Sequence, residues 1–124
     1  MQELRRVGFR WRVAQFEDVV VLSLWGELDL DGADALRHEL EALEGAGGRR
    51  LIADLAQTTF VDPAALDALL ASSQRLGGAE GSLLLVADEP RTLRMLAAGG
   101  LGRVFEVRPT LRDAIGEVLD GVGA

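Results

Sequence analysis

The chain has 124 residues, which one hydrophobic core can account for, and its 48% hydrophobic and 27% charged residues are typical of a globular protein. A net charge of −7 disfavours binding to nucleic acid, and the absence of cysteine excludes disulfides and thiolate metal sites. The longest nearly apolar stretch, residues 19–25, is far shorter than the ~20 residues that span a bilayer, and the first residues carry no export signal, so we expect a cytoplasmic protein without membrane insertion.

The first half of the chain predicts two strands and a helix. Alternation of apolar and polar residues over 9–13 indicates a half-exposed strand, and the apolar run 19–25 indicates a strand covered on both faces. A short polar break separates them, so the two should form a hairpin. The helix that follows should be capped by Asp31 and should end at the glycines that begin with Gly45. Its predicted inward residues are Ala33, Leu36, Leu40 and Leu43.

The second half alternates short apolar runs with helical patterns. Interior strands are predicted at residues 51–55, 83–86 and 104–107. A helix capped by Asp62 should extend to Gly78, because the proline after Asp62 is tolerated at the first helical position. Its predicted inward residues are Leu66, Leu69, Leu70, Ser73 and Leu76. Two further helices should begin near Pro90 and Pro109, and the first of them should end at residues 99–100.

The predicted order of elements is β-β-α-β-α-β-α-β-α. After the hairpin, a helix separates each strand from the next, and such strands pair in parallel through right-handed crossovers. The fold class is therefore α/β, with a mixed, mostly parallel sheet of about five strands flanked by about four helices. No linker or repeat divides the chain, so residues 1–124 should form a single domain with its core at about 9–120.

Side chains that could carry out catalysis are scarce. His38 is the only histidine, and it should lie on the solvent side of the first helix, with no cysteine or second histidine to share a metal. Glu27, Asp29 and Asp31 are close in sequence, but a structural role such as helix capping accounts for them more simply than an acid/base pair. The glycine clusters lack the spacing of a nucleotide phosphate loop. We therefore expect no enzyme activity, no metal and no cofactor.

The loop at Asp62 is the best candidate for a binding surface, since α/β proteins commonly place binding groups in the loop after a strand. There, Pro63, Ala64 and Ala65 present small side chains that a partner's backbone could approach closely. The helix after the loop should point further small or singly charged residues outward. These are Asp67, Ala68, Ala71, Ser72 and Arg75.

Three motifs together resemble the STAS domain family, and in particular the bacterial anti-sigma factor antagonists. They are Gly-Glu-Leu-Asp at residues 26–29, an apolar-Asp-Leu sequence that ends at Leu55, and Phe-Val-Asp at 60–62 followed by Leu66. The resemblance covers about residues 9–120. It implies a STAS-like fold and a protein-binding module that engages an anti-sigma factor kinase, which would free a sigma factor for RNA polymerase. The implied partner-binding residues are Asp62, Pro63, Ala64, Ala65, Asp67, Ala68, Ala71 and Arg75.

In typical antagonists of this family the loop reads Asp-Ser-Ser-Gly-Leu, and the anti-sigma factor phosphorylates the second serine to end the complex. Here Pro63 and Ala64 stand at the two serine positions, and Ala65 stands at the glycine. A phosphate ester needs a hydroxyl, so Ala64 is a degenerate phosphosite and the switch is expected to be missing. The nearby hydroxyl residues are Thr58, Thr59, Ser72 and Ser73. Their different positions disfavour a substitute phosphosite.

Two other functions stay open at the level of sequence. STAS domains also occur as small regulatory subunits bound to ABC-transporter ATPases and in stress-signalling assemblies, so the same module could belong to one of these systems. The other alternative is a small-ligand-binding or enzymatic domain that uses Glu27, Asp29 or Asp62. The sequence does not decide the identity of the partner or the oligomeric state.

Overall fold

A computed structural model describes residues 2–6, 8–98 and 105–123, and the side chains within 8–98 and 105–120. The strands in these ranges are β1 (Gln2–Arg6), β2 (Phe9–Phe16), β3 (Val19–Leu28), β4 (Arg50–Val61), β5 (Ser82–Val86) and β6 (Glu106–Arg108). The helices are α1 (Leu30–Gly45), α2 (Pro63–Gly78), α3 (Pro90–Ala98) and α4 (Leu111–Gly123). From β2 onward the predicted order is confirmed, and β1 is an additional strand at its start.

The strands form one sheet whose spatial order follows the chain from β1 to β6. β1, β2 and β3 pair antiparallel, so the predicted hairpin is confirmed, and β3 to β6 pair in parallel. The mixed, mostly parallel sheet is therefore also confirmed. The sequence pattern did not reveal β1 because its five residues include a single large apolar one, Leu4. Pairing with β2, rather than a hydrophobic pattern of its own, specifies this edge strand.

Most of the core lies between one face of the sheet and the helices α1 and α2. The large side chains fully buried there include Leu22, Leu24, Leu36, Leu40, Leu66, Leu69 and Leu76. On the opposite face, α4 covers β4 and β5, where Ile52, Leu84, Val86 and Ala114 form a second cluster. Because β3 and β4 are neighbours and each is followed by a helix, α1 and α2 lie side by side on one face of the sheet.

Several strand ends differ from the prediction, and two predicted boundaries lie outside the described residues. β4 continues to Val61, six residues beyond the predicted end, because β3 supplies parallel partners as far as the pair Leu28 and Val61. β6 is described from Glu106. The predicted end of α3 at residues 99–100 and the predicted start of the last strand at 104 lie outside the described residues.

Candidate functional site

Asp62 connects β4 to α2 and caps the helix, as predicted. Its Oδ1 accepts a hydrogen bond from the backbone N–H of Ala64 at 2.8 Å, and its extended backbone (φ −70°, ψ 144°) is that of an N-cap residue. Pro63 is the first residue of α2, where its missing N–H leaves no donor unpaired. The backbone N–H of Asp62 also donates to the carbonyl of Leu28 at 2.8 Å. The loop is therefore fixed to both the end of β3 and the start of α2.

Two irregularities in β4 determine where this loop lies. The register between β3 and β4 shifts once just after Asp54 and again just after Thr58, and each shift adds one residue to β4. At the first shift, Asp54 Oδ1 accepts a hydrogen bond from the N–H of Ala56 at 3.0 Å. At the second, the hydroxyl of Thr58 donates to the carbonyl of Leu55 at 2.6 Å. Both side chains are buried and supply hydrogen bonds to backbone groups beside the shifts.

The start of α1 corrects one prediction, because Asp29 and not Asp31 is the N-cap. Asp29 Oδ1 accepts a hydrogen bond from the N–H of Gly32 at 2.8 Å, and Asp31 is the exposed second residue of the helix. The helix starts earlier than predicted because β3 ends at Leu28 and the chain turns directly after it. Glu27 is exposed at the end of the strand. Asp29 is thus occupied in capping, and no bond joins these three carboxylates to one another in the described structure.

A groove with a volume of about 510 Å³ lies between α1 and α2 and is named here the α1–α2 groove. Small apolar side chains form its floor: Ala33, Ala64, Ala68 and Ala71. Its rim consists of Leu30, Asp31, Asp34, Arg37, Asp67 and Arg75. Five of the eight predicted partner-binding residues line this one groove. The α1 half of the groove was missed in the sequence, because no local pattern reveals which helix lies beside α2.

Exposure divides the predicted partner-binding residues into three groups. Pro63, Asp67 and Arg75 are exposed, Asp62, Ala64 and Ala71 are partly exposed, and Ala65 and Ala68 are buried. The prediction that Ala68 and Ser72 point outward is wrong. α2 packs against α1 as well as against the sheet, so its buried side widens to include the small residues that face α1. Ala65 and Ala68 therefore shape the surface from beneath.

A polar cluster between the same two helices was also missed. The carboxylate of Glu44, near the end of α1, accepts hydrogen bonds from the hydroxyl of Ser72 at 2.7 Å and from Arg75 Nη2 at 2.9 Å. Ser72 is fully buried, and its hydroxyl finds its partner across the helix pair. Burial alone would raise the pKa of Glu44, but the hydrogen bonds from Arg75 and Ser72 outweigh burial and hold the pKa below its ordinary value. The cluster thus joins the two helices that form the groove.

The remaining titratable groups do not assemble into a reactive site within the described residues. Asp54 is the buried carboxylate there, and desolvation raises its pKa although the N–H of Ala56 donates to it. It lies on the face of the sheet that α4 covers, beside Leu111 and Ile115. His38 is exposed on α1, as predicted. No group of three potential metal ligands is found in the described ranges, and none of the described helices is long and apolar enough to cross a membrane.

The amino-acid sequence is similar to a known domain family and to proteins with assigned functions. Residues 10–114 match the model of the STAS domain. The chain is 32% identical over 109 residues to the anti-sigma-F factor antagonist RsfB of Mycobacterium tuberculosis, and the aligned region covers 88% of each chain. It is 25% identical over 93 residues to the putative anti-sigma factor antagonist BtrV of Bordetella bronchiseptica, and this aligned region covers 75% of this chain and 80% of BtrV.

Solved structures show the same similarity. A crystal structure of an anti-sigma factor antagonist from Mycobacterium paratuberculosis superposes with a TM-score of 0.81 at 32% identity and covers 89% of this chain and 93% of the other. The unphosphorylated form of the anti-sigma factor antagonist SpoIIAA superposes with a TM-score of 0.78 at 21% identity, over 89% and 96% of the two chains. At that identity the second likeness is one of fold alone. The predicted STAS-like fold is confirmed by both.

Proposed function

Because this chain belongs to the STAS domain family, we propose that it is a non-catalytic binding module of the anti-sigma factor antagonist type. Its partner is an anti-sigma factor, a kinase-like protein, which docks on the tip formed by Asp62, Pro63 and Ala64 and on the adjoining α1–α2 groove. Two observations support this proposal. Five of the eight predicted partner-binding residues line one groove, and a relative at 32% identity is named as an anti-sigma factor antagonist.

The complex carries no serine phosphorylation switch at this surface. The observation that carries this part of the proposal is that none of the described residues lining the α1–α2 groove has a hydroxyl group. Ala64, at the position of the phosphorylated serine of typical family members, offers only a methyl group. Of the nearby hydroxyls, those of Thr58 and Ser72 belong to buried residues. Thr59 is exposed but lines a separate cleft beside Trp25, and Ser73 is partly exposed but lines another cleft beside Gly77.

The test compares the wild-type chain with Ala64→Ser, which restores a hydroxyl at that one position. Each protein is mixed with every purified anti-sigma factor of the source organism and ATP, and complex formation and intact mass are both measured. We expect the wild type to bind one of these proteins and keep its mass. Ala64→Ser should gain one phosphate group and then release the partner, because the added charge of about −2 lies in the interface. Ala71→Ser, which adds a hydroxyl elsewhere in the groove, is the matched control and should stay unmodified.

Other outcomes would select the alternatives. Phosphorylation of the wild-type chain would refute a complex without a switch. Binding to an ABC-transporter ATPase instead of an anti-sigma factor would favour the regulatory-subunit alternative. A ligand or turnover that is lost on replacing Glu27, Asp29 or Asp62 with alanine would favour the ligand-binding or enzymatic alternative.

A further inference from the structure

The cations that border the α1–α2 groove are already neutralised within the chain. Arg37 forms an ion pair with Asp34 at 2.7 Å and lies 3.7 Å from Glu41. Arg75 is held by both carboxylate oxygens of Glu44. A carboxylate or phosphate of a partner would have to compete with these pairs. The two guanidinium groups therefore attract an anionic group of a partner less than unpaired cations would.

Two of the acidic groups at the groove have no such partner. Asp31 lies in the first turn of α1 and Asp67 in the second turn of α2, and both are exposed. Neither forms an ion pair within the described part of the chain. The net charge of −7 adds to the same negative potential. An approaching cation is consequently favoured over an anion at this rim.

An exposed apolar side chain lies next to these acids. Leu30 is 68% exposed, the most exposed of the large apolar side chains in the described ranges, and it lines the groove next to Asp31. The floor beside it consists of alanine methyl groups, which leave room for an inserted side chain. Apolar surface of this kind, bordered by charge, is typical of a protein interface.

From this arrangement we infer that the partner inserts an apolar side chain into the α1–α2 groove and places an arginine or lysine between Asp31 and Asp67. The inference rests on the proposed function and adds to it the chemistry of the partner's docking segment. The apolar contact lengthens the lifetime of the complex, because it removes Leu30 and the alanine floor from water. The charges act mainly on the rate of association, because rim charges steer the encounter.

The experiment measures association and dissociation rates by biolayer interferometry with the purified anti-sigma factor that binds the wild-type chain. Asp31→Asn/Asp67→Asn removes both charges at nearly unchanged shape, and Leu30→Ala removes the exposed apolar group. The matched control is Glu80→Gln/Asp120→Asn, which removes two exposed charges outside the groove lining. Circular dichroism confirms that all variants are folded. Size-exclusion chromatography with light scattering reports self-association of the chain.

The two substitutions should act on different rates. At about 50 mM NaCl the groove double variant should associate about fivefold more slowly than the wild type, and the control less than about twofold. The difference should disappear near 1 M NaCl, where the Debye length is about 3 Å. Leu30→Ala should raise the dissociation rate about tenfold and leave association nearly unchanged.

Each other result contradicts a defined part of the proposal. If the wild type binds and the double variant behaves like the control, the cationic segment is refuted while the proposed function stands. If Leu30→Ala leaves dissociation unchanged, the apolar insertion is refuted. If the groove variants disrupt self-association instead, the occupant is a second copy of this chain. If the wild type binds no anti-sigma factor, the proposed function falls and this inference falls with it.

Discussion

Replacement of Glu44 by alanine should destabilise the fold, because it removes the polar contact that joins α1 to α2. Arg75 is 41% exposed, so its ion pair with Glu44 is screened by solvent and contributes about 0.5 kcal/mol. Ser72 is fully buried, and leaving its hydroxyl without a partner costs about 1–3 kcal/mol. The free energy of unfolding should therefore fall by about 2 kcal/mol.

Urea unfolding at pH 7, followed by the fluorescence of the two tryptophans, measures this loss. The control is Glu41→Ala, since Glu41 is an exposed acid on the same helix whose contact with Arg37 is 3.7 Å long. It should cost less than about 0.5 kcal/mol. The double variant Glu44→Ala/Ser72→Ala should be more stable than Glu44→Ala alone, because it leaves no buried hydroxyl unpaired. Equal stability of these two variants would refute the reasoning.

The same contact should depend on pH. The pKa of Glu44 is lowered in the folded state, so its contribution to stability is fully present above the ordinary glutamate pKa. It is lost as the pH falls through the lowered pKa of the folded state. The stability advantage of the wild type over Glu44→Gln should therefore be largest near neutral pH and should vanish in acid. An advantage that is constant from pH 7 to pH 2 would show that the charge of Glu44 is not involved.

Three further substitutions are tested by the same unfolding assay. Asp54→Asn keeps an oxygen that accepts the N–H of Ala56 but removes a buried charge. Because burial raises the pKa of Asp54, the variant should be more stable than the wild type at neutral pH. This gain in stability should shrink as the pH falls toward the ordinary aspartate pKa. Thr58→Val should cost about 1–2 kcal/mol, since a backbone carbonyl loses its hydroxyl donor, and an unchanged midpoint would contradict this role. Gly26→Ala should lower the free energy of unfolding by more than about 2 kcal/mol, because the φ of +88° at Gly26 disfavours a side chain. The added carbon would also lie 2.3 Å from the carbonyl oxygen of Gly8. A variant as stable as the wild type would contradict this reasoning.

Short-range patterns predicted most of the features that depend on neighbouring residues. The cap at Asp62 was predicted correctly because a capping side chain bonds an N–H two or three residues away, and the proline after it fits that position. The inward stripe of α1 was also correct, since helical periodicity alone defines it. Asp31 was wrongly preferred over Asp29 as a cap because both have the side chain for it. Only the end of β3 at Leu28 distinguishes them.

The proposed binding surface was predictable in part. The small residues at the start of α2 identify its tip, and the missing hydroxyl at Ala64 is visible without coordinates. The outward face of α2 was misjudged at Ala68 and Ser72, because alanine and serine occur on both buried and exposed faces. What buries them is the neighbouring helix and the carboxylate of Glu44, 28 residues away from Ser72 in the chain.

The sequence by itself determined the alternation of strands and helices, the α/β class and the absence of a hydroxyl at Ala64, because each depends on residue identity or on periodicity within one segment. The tertiary structure alone decided that α1 lies against α2, that Leu30 and Asp31 share a groove with Asp67, and that Glu44 pairs with Ser72. These contacts join residues far apart in the chain. The order of strands in the sheet brings them together, and no local pattern records that order.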